Sequence, residues 1–213
     1  MTVSLTLLPK SIAASAQVTF TFDVAKNTSE SGVSGRKAMR PVIRNYMATV
    51  SPEDSAEMQA IIMATYGARY PFAMRDYSNY QLTDEVLIHS GGVAKLGKTW
   101  APATGTLSIY ERILVPDTSE TPLVIKVGGS PISYTVADFG LISGSFSDGD
   151  TVTATGQFLT PVCMVDQPSA TMYTSNAPLL ITTGVPVVNT TTYQFSDMHL
   201  EQIFENELIA LTS

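Results

Sequence analysis

An antiparallel β-sandwich or barrel carrying a single α-helix is the fold class that this 213-residue sequence predicts. Three observations lead there. Short β-prone runs such as Leu123–Val127, Ile132–Val136 and Thr151–Gly156 are punctuated by glycine and proline about every eight to twelve residues. Apolar and polar residues alternate in Gln17–Val24, as a strand buried on one face requires. Only one stretch, about residues 51–66, has a clear helix start and a helical apolar spacing.

Along the chain, the first fifty residues read as extended, with residues 1–25 as an N-terminal extended segment. Val18, Phe20, Phe22 and Val24 form the apolar side of one strand. In Val42–Val50, Ile43, Tyr46 and Met47 compete for the inner face. Ser51-Pro52-Glu53-Asp54 then offers an N-cap, a proline in the first turn and two acids at the positive helix end. Met58, Ile61, Ile62 and Thr65-Tyr66 supply the apolar face, and Gly67 a stop. Gly128-Gly129 between two β-prone runs reads as a hairpin turn. The last stretch, Leu200–Leu211, fits a helix or a closing strand equally well. The length suits a single domain over 1–213.

Composition excludes several function classes. Net charge is −7, which argues against direct nucleic-acid recognition. The charge is uneven: residues 1–112 carry eleven of the twelve basic side chains against nine acids, whereas residues 113–213 carry only Lys126 against ten. Such asymmetry suits a subunit with unlike faces, able to assemble head to tail. Apolar runs reach only about four or five residues, so no segment reads as membrane-spanning. The N-terminus resembles a secretory signal only faintly, and synthesis in the cytoplasm is expected. The single cysteine, Cys163, forms no internal disulfide and reads as a buried small hydrophobe.

Motifs for chemistry are few. Gly92–Thr99, GVAKLGKT, matches the phosphate-binding loop pattern, and Val162–Asp166 resembles the strand that holds magnesium in such enzymes. The loop's mechanism requires a helix starting at Lys98-Thr99. Instead Pro102, Gly105 and β-branched threonines follow, so a surface loop is expected. His89 and His199 stand apart without metal-ligand spacing, and Asp148 and Asp150 in SDGD read as a turn. Neither a catalytic set, a metal site nor a cofactor motif emerges, and an enzyme is not expected.

The densest pattern is GARYPFAMRDYSNYQ, residues 67–81, where Tyr70, Phe72, Tyr77 and Tyr80 interleave with Arg69, Arg75 and Asp76. This stretch resembles the helix–glycine–aromatic–Arg–Asp–aromatic block of phage and gene-transfer-agent distal tail proteins. SGVSGRKAMRPVIRNY, Tyr110–Pro116 (YERILVP), Tyr134–Asp166 and Asn206–Leu211 (NELIAL) follow the family's order. The chain departs from the family in lacking a glycine-rich opening and in having Cys163 where an arginine is expected.

The resemblance implies a structural virion protein, located at the distal end of a tail. Six copies would form a homomeric ring joining the tail tube protein to the baseplate hub or tail-tip protein. The final NELIAL is implied to be a closing strand. Charge asymmetry then suggests that Arg36, Arg40 and Arg44 of one subunit meet Asp148, Asp150 and Asp166 of the next. Arg75, Tyr77 and Tyr80 are further interface candidates. The alternative is a tail-tip module binding carbohydrate or receptor through the Tyr77/Tyr80 region.

Overall fold

The computed structural model describes residues 5–21, 24–28, 34–38, 42–65, 69–102, 104, 106, 108–166, 170–174, 191–195 and 197–212. The fold is mainly β, and the strand pairings described are antiparallel, with one isolated parallel bridge from Leu7 to Ala73. Among the described residues there are three α-helices: α1 (Lys10–Ser15), α2 (Ser55–Ala64) and α3 (Glu205–Thr212). The strand orders run between open ends, so among the described residues no sheet closes into a barrel.

The chain divides into two compact units. One comprises Met1–Leu7, Pro71–Val162 and Ile203–Ser213; the other comprises Leu8–Tyr70 and Cys163–Gln202.

The first unit is organised around the strand Val152–Met164, whose residues up to Val162 belong to it. Val152, Ala154, Gly156 and Phe158 alternate inward with period two, as a strand with one buried face must. Val124–Val127 pairs with its first half, and Gln81–Val86 lies against the same half. Val115–Asp117 and Phe72–Met74 flank its second half. Leu82, Leu96, Ile125, Ile142, Val152 and Phe158 form one buried cluster, each side chain contributing about 1.5–3 kcal/mol by leaving water. The expected Gly128-Gly129 hairpin is present: both glycines have positive φ (56° and 86°), joining Val124–Val127 to Ser130–Pro131. The Ile132–Val136 run adds one rung to that ladder, Ile132 N–H to the Ile125 carbonyl at 3.0 Å, and then leaves it. Its strand, Tyr134–Ala137, pairs with Leu141–Gly144 in a second sheet of order Tyr134–Ala137, Leu141–Gly144, Val93–Lys95, Ile88–Ser90.

α3 belongs to this unit, and it corrects the closing strand that the resemblance implied for Asn206–Leu211. Glu205 and Glu207 occupy its first turn, favourable to the helix dipole, and Leu208 is fully buried. Arg112 ties the helix start to the unit, with Nη1 3.1 Å from Glu205 and Nη2 donating to the Phe139 carbonyl at 2.6 Å.

In the second unit, strands Gln17–Thr21, Ile43–Ala48 and Met198–Gln202 lie side by side. The contest for the inner face of the middle strand goes to Tyr46 with Arg44 and Ala48; Ile43 is half-buried and Met47 exposed. Phe20, expected inward, is 53 % exposed. α1 corrects the reading of residues 1–25 as wholly extended: Lys10–Ser15 completes one and a half turns, burying Ile12 and Ala13. A six-residue helix is too short to register as a periodic pattern. The helix expected at 51–66 starts as a 3-10 turn, Pro52–Asp54, and continues as α2, with Met58 and Ile61 buried. Ser51 does not cap a backbone N–H; its hydroxyl donates to Asp54 Oδ2 at 2.7 Å. Gly67 lies outside the described residues. Cys163 is half-buried, because the alternation that buries Val162 and Met164 turns it to the other face.

Candidate functional site

The most organised polar feature lies in the first unit, where the chain leaves strand Phe72–Met74. All three residues of that strand are fully buried, which holds the following Arg75 at the wall of the core, itself only 5 % exposed. Arg75 Nε donates to Asp117 Oδ2 at 3.1 Å, Nη2 bonds to the same carboxylate oxygen, and Nη1 meets Glu120 Oε2 at 2.6 Å. Asp117 is 2 % exposed. A buried guanidinium must be paired, and this one spans two carboxylates with the planar fork that only arginine offers.

Two matching turns brace the pair. Asp76 Oδ1 accepts from the Ser78 amide at 2.9 Å and its hydroxyl at 2.5 Å. Asp117 Oδ1 accepts from the Ser119 amide at 3.0 Å and its hydroxyl at 2.6 Å. In both, an Asp-x-Ser sequence closes an Asx turn. Burial by itself pushes the Asp117 carboxyl up, but the Ser119 hydroxyl and amide and the Arg75 guanidinium outweigh it and hold the carboxyl below its ordinary range. Arg75 is likewise held above its ordinary value: burial opposes the charge, and the Asp117 and Glu120 carboxylates prevail.

The first turn projects an aromatic surface. Tyr77 is 40 % exposed, and its ring lies 5.5 Å from that of Tyr80, tilted by 60°. The Arg75 guanidinium sits 5.8 Å from the Tyr80 ring centroid, so the ion pair supports the aromatic pair from beneath. Asn79 Oδ1 accepts from Lys98 Nζ at 2.8 Å, and the same ammonium donates to the Gln81 carbonyl at 3.2 Å.

That contact settles the GVAKLGKT motif. Gly91-Gly92 is a turn, Val93–Lys95 and Gly97–Trp100 are strands, and no helix starts at Lys98-Thr99. A phosphate cradle needs backbone N–H groups of a helix start converging on one point; here the Lys98 ammonium is committed to Asn79 and Gln81. Gly97 has a different purpose. A Cβ there would collide with the Tyr110 ring, whose hydroxyl bonds to the Lys95 carbonyl.

The structure separates the remaining candidates. Arg44 is buried and donates to Gln202 Oε1 at 3.4 Å, and Arg75 is engaged as above. In the single chain little of either side chain meets solvent, and both are engaged within the chain. Arg36 lies on strand Ser34–Ala38, where only the backbone is described, and Arg40 lies outside the described residues. Asp148, Asp150 and Asp166 are exposed. Asp148 Oδ1 accepts the Gly91 N–H at 2.9 Å and Asp150 Oδ2 the Ser147 N–H at 2.7 Å, so SDGD is the turn the sequence suggests. His89 lies edge-on to Phe146 and bonds to the Asp150 carbonyl, while His199 is exposed on strand Met198–Gln202. Among the described residues no group of three His, Cys, Asp or Glu side chains is placed to hold a metal ion, and no helix is long and apolar enough to cross a membrane.

Sequence reasoning missed Asp117, Glu120, Asn79 and Lys98 as members of this site. The repeated Asp-x-Ser spacing of residues 76–78 and 117–119 is the signal that could have joined the two segments. No known family model matches the chain, and no curated protein sequence does.

Proposed function

We propose that the chain is a structural subunit of a phage-like tail, assembling as a ring at the distal end between the tube and the baseplate hub. The observation that carries this reading is the Arg75–Asp117 pair. Arg75 belongs to the block on which the resemblance to distal tail proteins chiefly rests, and Asp117 directly follows Tyr110–Pro116, a second segment of that resemblance. Two stretches chosen for likeness alone thus meet in one buried contact, as parts of a single inherited framework do.

The work of such a protein is geometric. Open-ended sheets present unlike edges, a heterologous contact repeated around an axis closes a ring, and the two ring faces bind different partners. The chain's basic first half and acidic second half suit that arrangement. Exposed Asp166 is the cleanest acidic contact to test, because Asp148 and Asp150 also hold their turn. Asp166→Lys and Arg36→Glu each weaken self-association in sedimentation velocity, and the double variant restores part of it. Association unchanged in both single variants, at low and high salt, removes the charge-paired ring contact.

A further inference from the structure

Beside the braced turn lies a second exposed aromatic surface. On the hairpin formed by Gly97–Trp100 and Ile109–Arg112, Lys98 and Trp100 share one face with Ile109 and Glu111 opposite them. Trp100 is 41 % exposed yet fixed at both ends: its indole N–H donates to Glu111 Oε2 at 2.7 Å, and Lys98 Nζ sits 5.1 Å from its ring centroid. Lys98 is anchored in turn on Asn79 and the Gln81 carbonyl, and Gln81 Nε2 donates to the Tyr80 hydroxyl at 3.0 Å. A continuous chain of contacts therefore runs from Trp100 to Tyr80 and Tyr77.

We infer that this surface, with Trp100 and Tyr77 as its exposed aromatic plates, binds a neutral oligosaccharide. Three features specify the ligand class. The indole N–H is already used, so Trp100 offers a flat apolar face, suited to the C–H face of a sugar ring. Lys98 and Glu111 balance each other, so the surface selects neither anion nor cation, while supplying polar groups for hydroxyls. Asn79, 7 % exposed, leaves Nδ2 without a hydrogen-bond partner beneath Lys98; a buried donor in that state costs about 1–3 kcal/mol, which a bound hydroxyl would relieve. Because the plates are immobilised before binding, little ordering entropy opposes the ligand.

Trp100 is the sole tryptophan of the chain, so binding can be read on the unaltered protein. Titration with neutral gluco-, galacto- and N-acetylglucosamine oligosaccharides gives a saturable change in tryptophan fluorescence with at least one of them. Tyr77→Ala, an exposed position, raises the dissociation constant about tenfold with an unchanged unfolding midpoint, and Trp100→Ala does the same by calorimetry. No saturable response to any neutral oligosaccharide overturns the inference, as does binding indifferent to both variants. A fluorescence response to tube protein alone overturns it too, and assigns the surface to protein docking. Ring closure is measured separately, so failure here leaves the assembly reading standing.

Discussion

At the residue scale, Arg75 and Asp117 are the positions where one side chain holds most. Removing one partner of a buried ion pair strands the other charge, a loss of about 3–5 kcal/mol. Arg75→Ala and Asp117→Ala should each lower stability by that amount in urea denaturation. Arg75→Lys should recover only part, since an ammonium cannot span Asp117 and Glu120 as the guanidinium fork does. The pH dependence follows from the same contacts. A carboxyl held lower in the folded state than in the unfolded one stabilises the fold above its unfolded pKa, and that contribution is lost as pH falls through the folded value. Unfolding free energy should therefore fall as pH drops below about 4, and Asp117→Asn should flatten that limb while lowering stability at neutral pH. A variant with the wild-type acid limb would show that Asp117 does not drive it.

At the element scale, α3 gives the sharpest contrast between what anchors and what decorates. Leu208 is fully buried, so Leu208→Ala should cost about 2–5 kcal/mol, with helical circular dichroism and urea midpoint falling together. Glu205, 37 % exposed in its pair with Arg112, should cost no more than about 1 kcal/mol on change to Gln. The same element shows where sequence reading stopped. Leu200–Leu211 carries apolar residues compatible with a strand or a helix, and the chain uses both: strand Met198–Gln202, then α3. Elements with a strong local signal were legible, among them the α2 helix from its Pro-Glu-Asp start and the Gly128-Gly129 hairpin from its need for positive φ. α1 was not, because six residues span less than two helical turns. Nor was the ion pair: Arg75 and Asp117 are joined by the register of two strands on opposite sides of Val152–Met164, and no local pattern encodes that. Exposed Phe20 and buried Arg44 failed for a related reason: alternation tells which residues share a face, not how deeply that face is covered.

At the scale of the whole molecule, the proposed ring needs unlike surfaces on one chain to meet in a closed assembly. Two compact units, open-ended sheets and a charge split between sequence halves are the properties that such a subunit uses. Charge-steered assembly is screened by salt, so association should slow as ionic strength rises past the physiological range, where the Debye length is about 8 Å. A salt-independent rate would place the contact energy in apolar surface instead. The most direct measurement is native mass spectrometry of the purified chain, with negative-stain images of the same sample and of its mixture with tube protein. The expected result is a closed ring of about six copies, formed alone or templated by the tube. A monomer that stays monomeric in both samples contradicts it.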